Sequence, residues 1–303
     1  ILAKDKDVLR QLLAKKYDGI VDFMIYPTGD LPYYLPQMLD NTDHYIYLSS
    51  YRIYDNKEHP VKESSPRLID TADNLILRNS DDYSIYKARG ENIVRALPKK
   101  NCTIIRPAIT YSLMRYQLVT LEAPNTVGRA FAGKAVVVPE QARDVQATMS
   151  WAGDVARMIA GLLFNEKARG EVFTVEHIII QIALQEHQPS GERLFDETAN
   201  DFVRQRKRTG PVLRAFRAGK QFAADYLKIL NPDPYCPGAR WQLEYDRLFD
   251  RIMDNSKVLA ATGMKQEELM PLYDGLKHEI ARCPRDFQWQ ENKLMDDYLN
   301  KMK

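Results

Sequence analysis

The chain has 303 residues, of which 45% are hydrophobic and 28% charged, and this ordinary globular composition excludes collagen-like and wholly disordered proteins. Its 43 basic and 41 acidic residues give a formal net charge of +2, too small to indicate a nucleic-acid partner. The three scattered cysteines, Cys102, Cys236 and Cys283, suggest neither a disulfide framework nor a metal site, and no apolar run approaches the ~20 residues of a membrane helix. We therefore expect a cytoplasmic protein that binds no membrane and no metal.

The first 107 residues alternate between predicted helices and strands. Apolar residues at helical spacing predict the helices, whereas short runs of β-branched and aromatic residues predict the strands. In chain order these are a helix over Asp5–Lys16, a strand over Ile20–Tyr26, a helix over Leu31–Leu39, a strand over His44–Ser50, a helix over Tyr83–Leu97 and a strand over Cys102–Arg106. This alternation is typical of crossover connections and predicts a parallel α/β sheet.

The remaining two thirds of the chain are less regular. The predicted elements are strands over Val136–Val138 and Glu171–Val175, and helices over Gly153–Phe164, Asn255–Gly263, Gln266–Ala281 and Gln288–Met302. Between them, Arg204–Lys220 holds seven basic residues and no acidic one. We interpret this cluster as a solvated helix face; the alternative is a contact with a pyrophosphate group, which arginine and lysine commonly bind.

Tyr83 and Lys87 are the residues whose spacing indicates chemistry. They are four positions apart in a predicted helix and therefore project from the same face. A lysine ammonium beside a phenol favours the phenolate, which can take a proton from a hydroxyl group. A solvated helix face gives the same spacing, so the pair alone is a weak signal.

The neighbouring strands strengthen that signal. Ser49 and Ser50 lie at the end of one predicted strand, and Arg106, Pro107 and Ala108 close the next. Open α/β sheets bind their ligands at the carboxyl ends of their strands. We therefore expect these residues to converge with the helix of Tyr83 on one crevice.

Taken in order, these motifs resemble the extended short-chain dehydrogenase/reductases, the NAD-dependent nucleotide-sugar epimerases and dehydratases. The likeness spans about 18–175 and, more thinly, 246–280. The segments that carry it are Tyr45–Tyr54 with Ser50 four before the closing tyrosine, Pro60–Glu63, Tyr83–Lys87 followed by Glu91, Arg106–Tyr111, Ser150–Ala156, and Asp254–Lys257 with Thr262–Gly263.

The resemblance implies a Rossmann-like parallel sheet with helices on both faces, lacking its N-terminal strands, and a smaller mixed α/β substrate domain. The dinucleotide-binding domain is expected at 1–111 plus 146–176, and the substrate domain at 112–145 plus 177–303. The family's glycine-rich pyrophosphate turn would precede Ile1, and none of the 14 glycines stands in such an array. We expect that the sequence omits this turn. The segment 176–226 matches nothing expected of the family.

The resemblance also implies a set of site residues. Tyr83 would be the catalytic base, Lys87 would hold the nicotinamide ribose, and Ser50 would align the substrate oxygen. The implied cofactor-binding residues are Phe23, Met24, Tyr26, Ser49, Tyr83, Lys87, Pro107 and Ala108, and the implied substrate contacts are Ser50, Tyr51 and Arg247. NAD is the expected cofactor, with NADP left open, and a homodimer acting on a nucleotide sugar is the expected assembly.

The residues after Ser50 bear on the reaction. The family's 4,6-dehydratases have Asp-Glu after the catalytic threonine, whereas Tyr51 and Arg52 follow Ser50 here. Without that carboxylate pair, elimination of water lacks its general acid, so we expect a 4-epimerase that works through a transient 4-keto sugar. The alternatives are a non-catalytic or atypical member that binds a nucleotide or partner, and an NAD(P)-dependent sugar or carbonyl reductase.

Overall fold

The computed structural model describes residues 4–116, 122–135, 137–139, 146–176, 178–181, 216–218, 241–284 and 286–301. The chain divides into two compact units. The first unit comprises Ile1–Ala108, Asp154–Glu176 and Met253–Leu269, and the second comprises Ile109–Gly153, His177–Ile252 and Met270–Lys303. These bounds differ from the predicted domains, most clearly in assigning Met253–Leu269 to the first unit. The dinucleotide-binding and substrate-binding roles of the two parts stay predictions.

The first unit contains an α/β sheet with its helices. Its strands are β1 (Tyr17–Asp22), β2 (Thr42–Leu48), β3 (Cys102–Pro107) and, later in the chain, β7 (Val172–Val175). Its helices are α1 (Lys6–Leu12), α2 (Leu31–Asp40), α3 (Leu68–Thr71), α4 (Leu75–Asn79), α5 (Tyr83–Ala96), α7 (Ala152–Leu162, whose first two residues belong to the second unit) and α8 (Ser256–Thr262).

The sheet of the first unit is parallel throughout, with strand order β1-β2-β3-β7. Successive side chains of β2 face opposite sides, as the period of a strand requires. Tyr45 and Tyr47 pack into one core cluster with residues of α1, α2 and α5, whereas Ile46 packs into a second cluster with residues of α7 and α8. The predicted Rossmann-like sheet with helices on both faces is therefore confirmed.

Several predicted elements have different bounds in the structure, and in two of them the cause is visible in the chain. The strand predicted over Ile20–Tyr26 begins at Tyr17 and ends at Asp22, because the Asp22 carboxylate accepts a hydrogen bond from the Met24 backbone and turns the chain. The helix predicted over Gln266–Ala281 is a short 3₁₀ helix (Gln266–Glu268) followed by α9 (Leu272–Ala281). Pro271 separates them, since a proline disfavours helical backbone in the residue before it.

The second unit has a three-stranded sheet of order β4-β6-β8 and a two-stranded parallel pair, β5-β9. In the larger sheet β4 pairs with β6 in parallel, and β6 pairs with β8 antiparallel. Its elements are β4 (Ile109–Tyr111), α6 (Val127–Phe131), β5 (Val137–Pro139), β6 (Gln146–Trp151), β8 (Ile178–Gln181), β9 (Phe216–Ala218), α9, and α10 (Lys293–Lys301). Most of the segment 176–226, with most of its basic cluster, lies outside the described residues. Among the residues described above, no helix has the length and apolarity to cross a membrane.

Candidate active site

The carboxyl ends of three parallel strands bring the candidate site together in the first unit. Asp22 ends β1, Leu48 ends β2 and Pro107 ends β3. Helix α5 begins at Tyr83, where the Asp82 side chain caps it by accepting a hydrogen bond from the Ser84 backbone at 2.9 Å. This edge is where open α/β sheets bind ligands.

Lys87 is buried at this edge, with only 2% of its surface exposed. Its Nζ donates a hydrogen bond to the Leu48 carbonyl at 2.6 Å, which fixes the amine at the end of β2. The same Nζ lies 5.7 Å from the centroid of the Tyr83 ring. Burial lowers the pKa of Lys87 to about 8, although the charges of Asp22 and Glu91 act in the opposite direction. The predicted same-face pair on α5 is therefore observed.

Ser49 and Ser50 directly follow β2, and both are buried. The Ser49 backbone donates to the Ile105 carbonyl at 2.8 Å, which extends the β2–β3 pairing by one residue. The Ser50 hydroxyl accepts a hydrogen bond from the Arg52 backbone at 3.2 Å and caps the short 3₁₀ helix Tyr51–Ile53. Both serines thus lie beside the carbonyl that anchors Lys87.

The two residues after Ser50 differ in their surroundings. Tyr51 is buried. The Arg52 guanidinium carbon lies 5.3 Å from the centroid of the Tyr83 ring, within cation–π range, and one of its nitrogens is 3.8 Å from the Asp82 carboxylate. The two positions after Ser50 therefore hold a buried aromatic side chain and a cation, and neither is a carboxylic acid.

The remaining predicted site residues differ in exposure, and one of them lies in the second unit. Phe23 is 65% exposed, Met24 packs partly buried against the core, and Tyr26 is buried with its hydroxyl 3.4 Å from Asp22. Ala108, just beyond Pro107, is buried and its backbone donates to the Val175 carbonyl at 3.0 Å. Arg247 belongs to the second unit, where it lies 3.6 Å from Asp246 and 4.0 Å from Glu122.

Asp22 is a buried polar residue of this edge that the sequence reasoning missed. Its carboxylate accepts hydrogen bonds from the Tyr45 hydroxyl at 2.6 Å, the Met24 backbone at 2.9 Å and the Tyr26 hydroxyl at 3.4 Å. Burial, followed by the negative charge of Asp22, raises the pKa of both tyrosines well above the usual value. The sequence signal for it is an aspartate inside an otherwise apolar run, and that run ends as a strand at this residue.

A buried ion pair connects α5 to β3 below this edge. The Arg106 guanidinium donates to both carboxylate oxygens of Glu91, at 2.8 and 2.7 Å. It also donates to the Tyr54 hydroxyl at 2.8 Å and to the Glu63 carbonyl at 2.9 Å. Burial acts to raise the pKa of Glu91, but the hydrogen bonds and charge of Arg106 outweigh it and leave that pKa below its usual value. Arg106 and Glu91, from two of the sequence motifs, thus form a clamp, a buried ion pair that joins β3 to α5.

The lowered pKa of Lys87 gives a testable dependence of stability on pH. Between pH 8 and 10.5 the unfolded chain holds a proton that the folded protein has lost, so this group makes the free energy of unfolding rise with pH. We expect a gain of about 2 kcal/mol from pH 7 to 9.5 from this residue. Urea denaturation should show this gain in the wild type and not in Lys87→Met; equal slopes in the two proteins would contradict it.

The chain is similar to known proteins in its structure and not in its sequence. No protein-family model and no curated protein matches the sequence. Many solved structures match the fold. The fold is that of the short-chain dehydrogenase/reductases.

Three of the matching structures contain NAD. A short-chain dehydrogenase/reductase superfamily protein from Agrobacterium tumefaciens with bound NAD is 14% identical with a TM-score of 0.58, covering 99% of this chain and 85% of its own. A dTDP-glucose 4,6-dehydratase from Streptomyces venezuelae with NAD is 14% identical with a TM-score of 0.60, covering 92% and 76%. A UDP-glucuronic acid 4-epimerase from Bacillus cereus, with UDP-glucuronic acid and NAD, is 13% identical with a TM-score of 0.57, covering 92% and 78%.

Proposed function

We propose that this chain is an NAD-dependent enzyme of the extended short-chain dehydrogenase/reductase family that acts on a nucleotide sugar. The observation that carries the proposal is the position of Lys87, buried at the end of β2 and facing the Tyr83 ring on the same helix. The fold adds support, because neighbours of this fold were solved with NAD and, in one case, with UDP-glucuronic acid.

The described residues fit the nicotinamide-ribose end of such a cofactor. A buried ammonium, the hydroxyls of Ser50 and Tyr83, and the residues Ser49 and Ala108 just after two strand ends offer donors and acceptors at the carboxyl edge of the sheet. Lys87 would hold the ribose hydroxyls, and Met24, Tyr26 and Pro107 would border the ring. NAD, when bound, supplies the acceptor for hydride and returns it. NADP stays an alternative, because a 2′-phosphate would be recognised at the adenosine end.

Three residues have distinct roles in the proposed mechanism. Tyr83 takes the proton from the substrate C4 hydroxyl, and the adjacent ammonium of Lys87 favours the phenolate that does so. Ser50 donates a hydrogen bond to the substrate oxygen and keeps it aligned with Tyr83. Proton removal at oxygen and hydride loss at carbon give a 4-keto sugar, and the reverse steps on the opposite face of the sugar complete epimerisation.

We propose 4-epimerisation in preference to 4,6-dehydration. Dehydration needs an acid and a base to remove water after the first oxidation. After Ser50 this chain has a buried tyrosine and Arg52, which pairs with Asp82. Neither side chain supplies the missing carboxylic acid. The non-catalytic reading rests only on the lack of a glycine array among the 14 glycines, and the burial of Lys87 facing Tyr83 argues against it.

Reaction in D₂O separates these functions. The purified protein is incubated with NAD and with UDP-glucose, UDP-glucuronic acid or dTDP-glucose, and the products are read by NMR. We expect inversion at C4 without deuterium on any carbon, because the hydride leaves and returns without exchanging with solvent. Carbon-bound deuterium in a 4-keto-6-deoxy product would instead establish a dehydratase, and stoichiometric NADH would establish a dehydrogenase. Absence of NAD binding in calorimetry would support the non-catalytic reading.

A further inference from the structure

Three tyrosine rings surround the amine of Lys87. Its Nζ lies 5.3 Å from the centroid of Tyr47, 5.3 Å from that of Tyr86 and 5.7 Å from that of Tyr83. Each distance is within the range in which a ring face attracts a cation. Tyr47 comes from β2, whereas the other two rings come from α5. We call Tyr47, Tyr83 and Tyr86 the tyrosine box.

We propose that the tyrosine box holds the Lys87 ammonium at the end of β2, which makes Tyr47 and Tyr86 positioning residues of this site. Its catalytic consequence rests on the proposed function, but the box itself is a property of the free protein. Tyr47 lies outside the Tyr-x-x-x-Lys motif, and Tyr86 occupies one of its unspecified positions. Neither residue has a reacting role in the proposed mechanism.

The rings matter because few other groups described around Lys87 compensate the buried charge of its ammonium. A buried ammonium needs compensating interactions, and within the part of the chain that the structure describes Lys87 has one hydrogen bond, to the Leu48 carbonyl. Asp22 and Glu91 are the charged groups that act on it from β1 and from α5. Among the described residues, however, both carboxylates are committed elsewhere: Asp22 to tyrosine hydroxyls and Glu91 to Arg106. The three ring faces therefore add negative potential around the ammonium.

The structure makes room for Tyr47 at a specific position of α5. Gly90 lies inside that helix, where glycine is unfavourable because of its backbone freedom. A Cβ at this position would overlap the Tyr47 hydroxyl, so a glycine allows the ring to reach Lys87. Within the described residues, the Tyr47 hydroxyl is buried without a hydrogen-bond partner. The contact of Tyr47 with Lys87 is therefore made by its ring and not by its hydroxyl.

Tyr86 is fixed in a different way. Its hydroxyl accepts a hydrogen bond from the Tyr26 backbone at 3.0 Å, which ties the ring to the loop after β1. Burial raises the pKa of Tyr86 to about 12 and that of Tyr47 well above the usual value. Both therefore stay neutral phenols over the range in which Lys87 titrates, so they contribute ring faces and no charge.

Two substitutions at one position test the box. The free protein is labelled with ¹⁵N-lysine, and the Lys87 Nζ resonance, assigned by its loss in Lys87→Met, is followed by NMR against pH. Tyr47→Leu removes a ring face that favours the ammonium, so the pKa of Lys87 should fall by about 0.5 to 1 unit. Tyr47→Phe keeps the face and removes only the unpartnered hydroxyl, so the pKa should stay at the wild-type value. An unchanged pKa in Tyr47→Leu, or an equal fall in both variants, would overturn the proposal.

Gly90→Ala provides a second variant, in which none of the three tyrosines is substituted. The added methyl group must displace the Tyr47 ring, so the pKa of Lys87 should fall in the same direction as in Tyr47→Leu. Should Tyr47→Leu fail to fold, Gly90→Ala and Tyr86→Leu decide the matter with the same measurement. NAD titration of the wild type tests the proposed function separately, because the box can be present in a protein that binds no dinucleotide.

Discussion

Tyr83→Phe is expected to lower turnover by about 10²- to 10⁴-fold while leaving the affinity for NAD nearly unchanged. The substitution removes the hydroxyl that we propose takes the substrate proton, and it keeps the ring beside Lys87 and Arg52. Because Lys87 is anchored to the Leu48 carbonyl independently of that hydroxyl, its position for a ribose is retained.

Turnover is measured with the nucleotide sugar that the D₂O experiment identifies, and NAD affinity is measured by calorimetry. Tyr17→Phe is the matched control, because it removes a tyrosine hydroxyl that donates to the Leu12 carbonyl of the same unit. The control should retain wild-type turnover. Wild-type turnover in Tyr83→Phe would remove this residue from the mechanism, and a parallel loss of NAD affinity would assign it to binding instead.

The sequence carried enough information for the sheet and for the pair on α5. The alternation of helices with apolar strands predicted parallel strands, and these are observed in the order β1-β2-β3-β7. The four-residue spacing of Tyr83 and Lys87 fixes their shared helix face, because that relation depends only on helical geometry. Such local periodicities survive folding, so they can be read without knowing the tertiary structure. The catalytic roles of these residues stay predictions.

The surroundings of Lys87 could not be predicted in this way. Tyr47 reaches the amine of this helical residue from strand β2, and its approach depends on a glycine 43 positions later in the chain. Asp22 lay inside an apolar run, and only its hydrogen bonds show that the strand ends there. Contacts between residues distant in sequence follow from packing, which periodicity does not encode. The break at Pro271 is different, because the proline is present in the sequence and by itself disfavours helical backbone in the residue before it.

Glu91→Gln is expected to destabilise the protein by about 3 to 5 kcal/mol. The substitution leaves the Arg106 guanidinium charged and buried, with 1% exposure of its side chain, and removes the carboxylate that contacts it at 2.7 Å. Arg67 lies 3.6 Å from the same carboxylate, and it too would lose a partner. Because Arg106 holds the pKa of Glu91 below its usual value, this stabilisation is present at neutral pH and is lost only when the pH falls through that lowered pKa.

Urea denaturation at pH 7 measures this effect, and Glu166→Gln makes the same chemical change at an exposed ion pair. Glu166 is 78% exposed and 3.0 Å from Arg169, so its loss should cost less than about 1 kcal/mol. The double variant Glu91→Leu with Arg106→Met removes both charges and should recover much of the stability lost by Glu91→Gln, since no buried charge is left unpaired. Equal, small losses at Glu91 and Glu166 would mean that water reaches Arg106. In that case the pair could not act as a dry clamp between α5 and β3, and the rigid position of Lys87 would have to come from its own contacts with Leu48 and the tyrosine box.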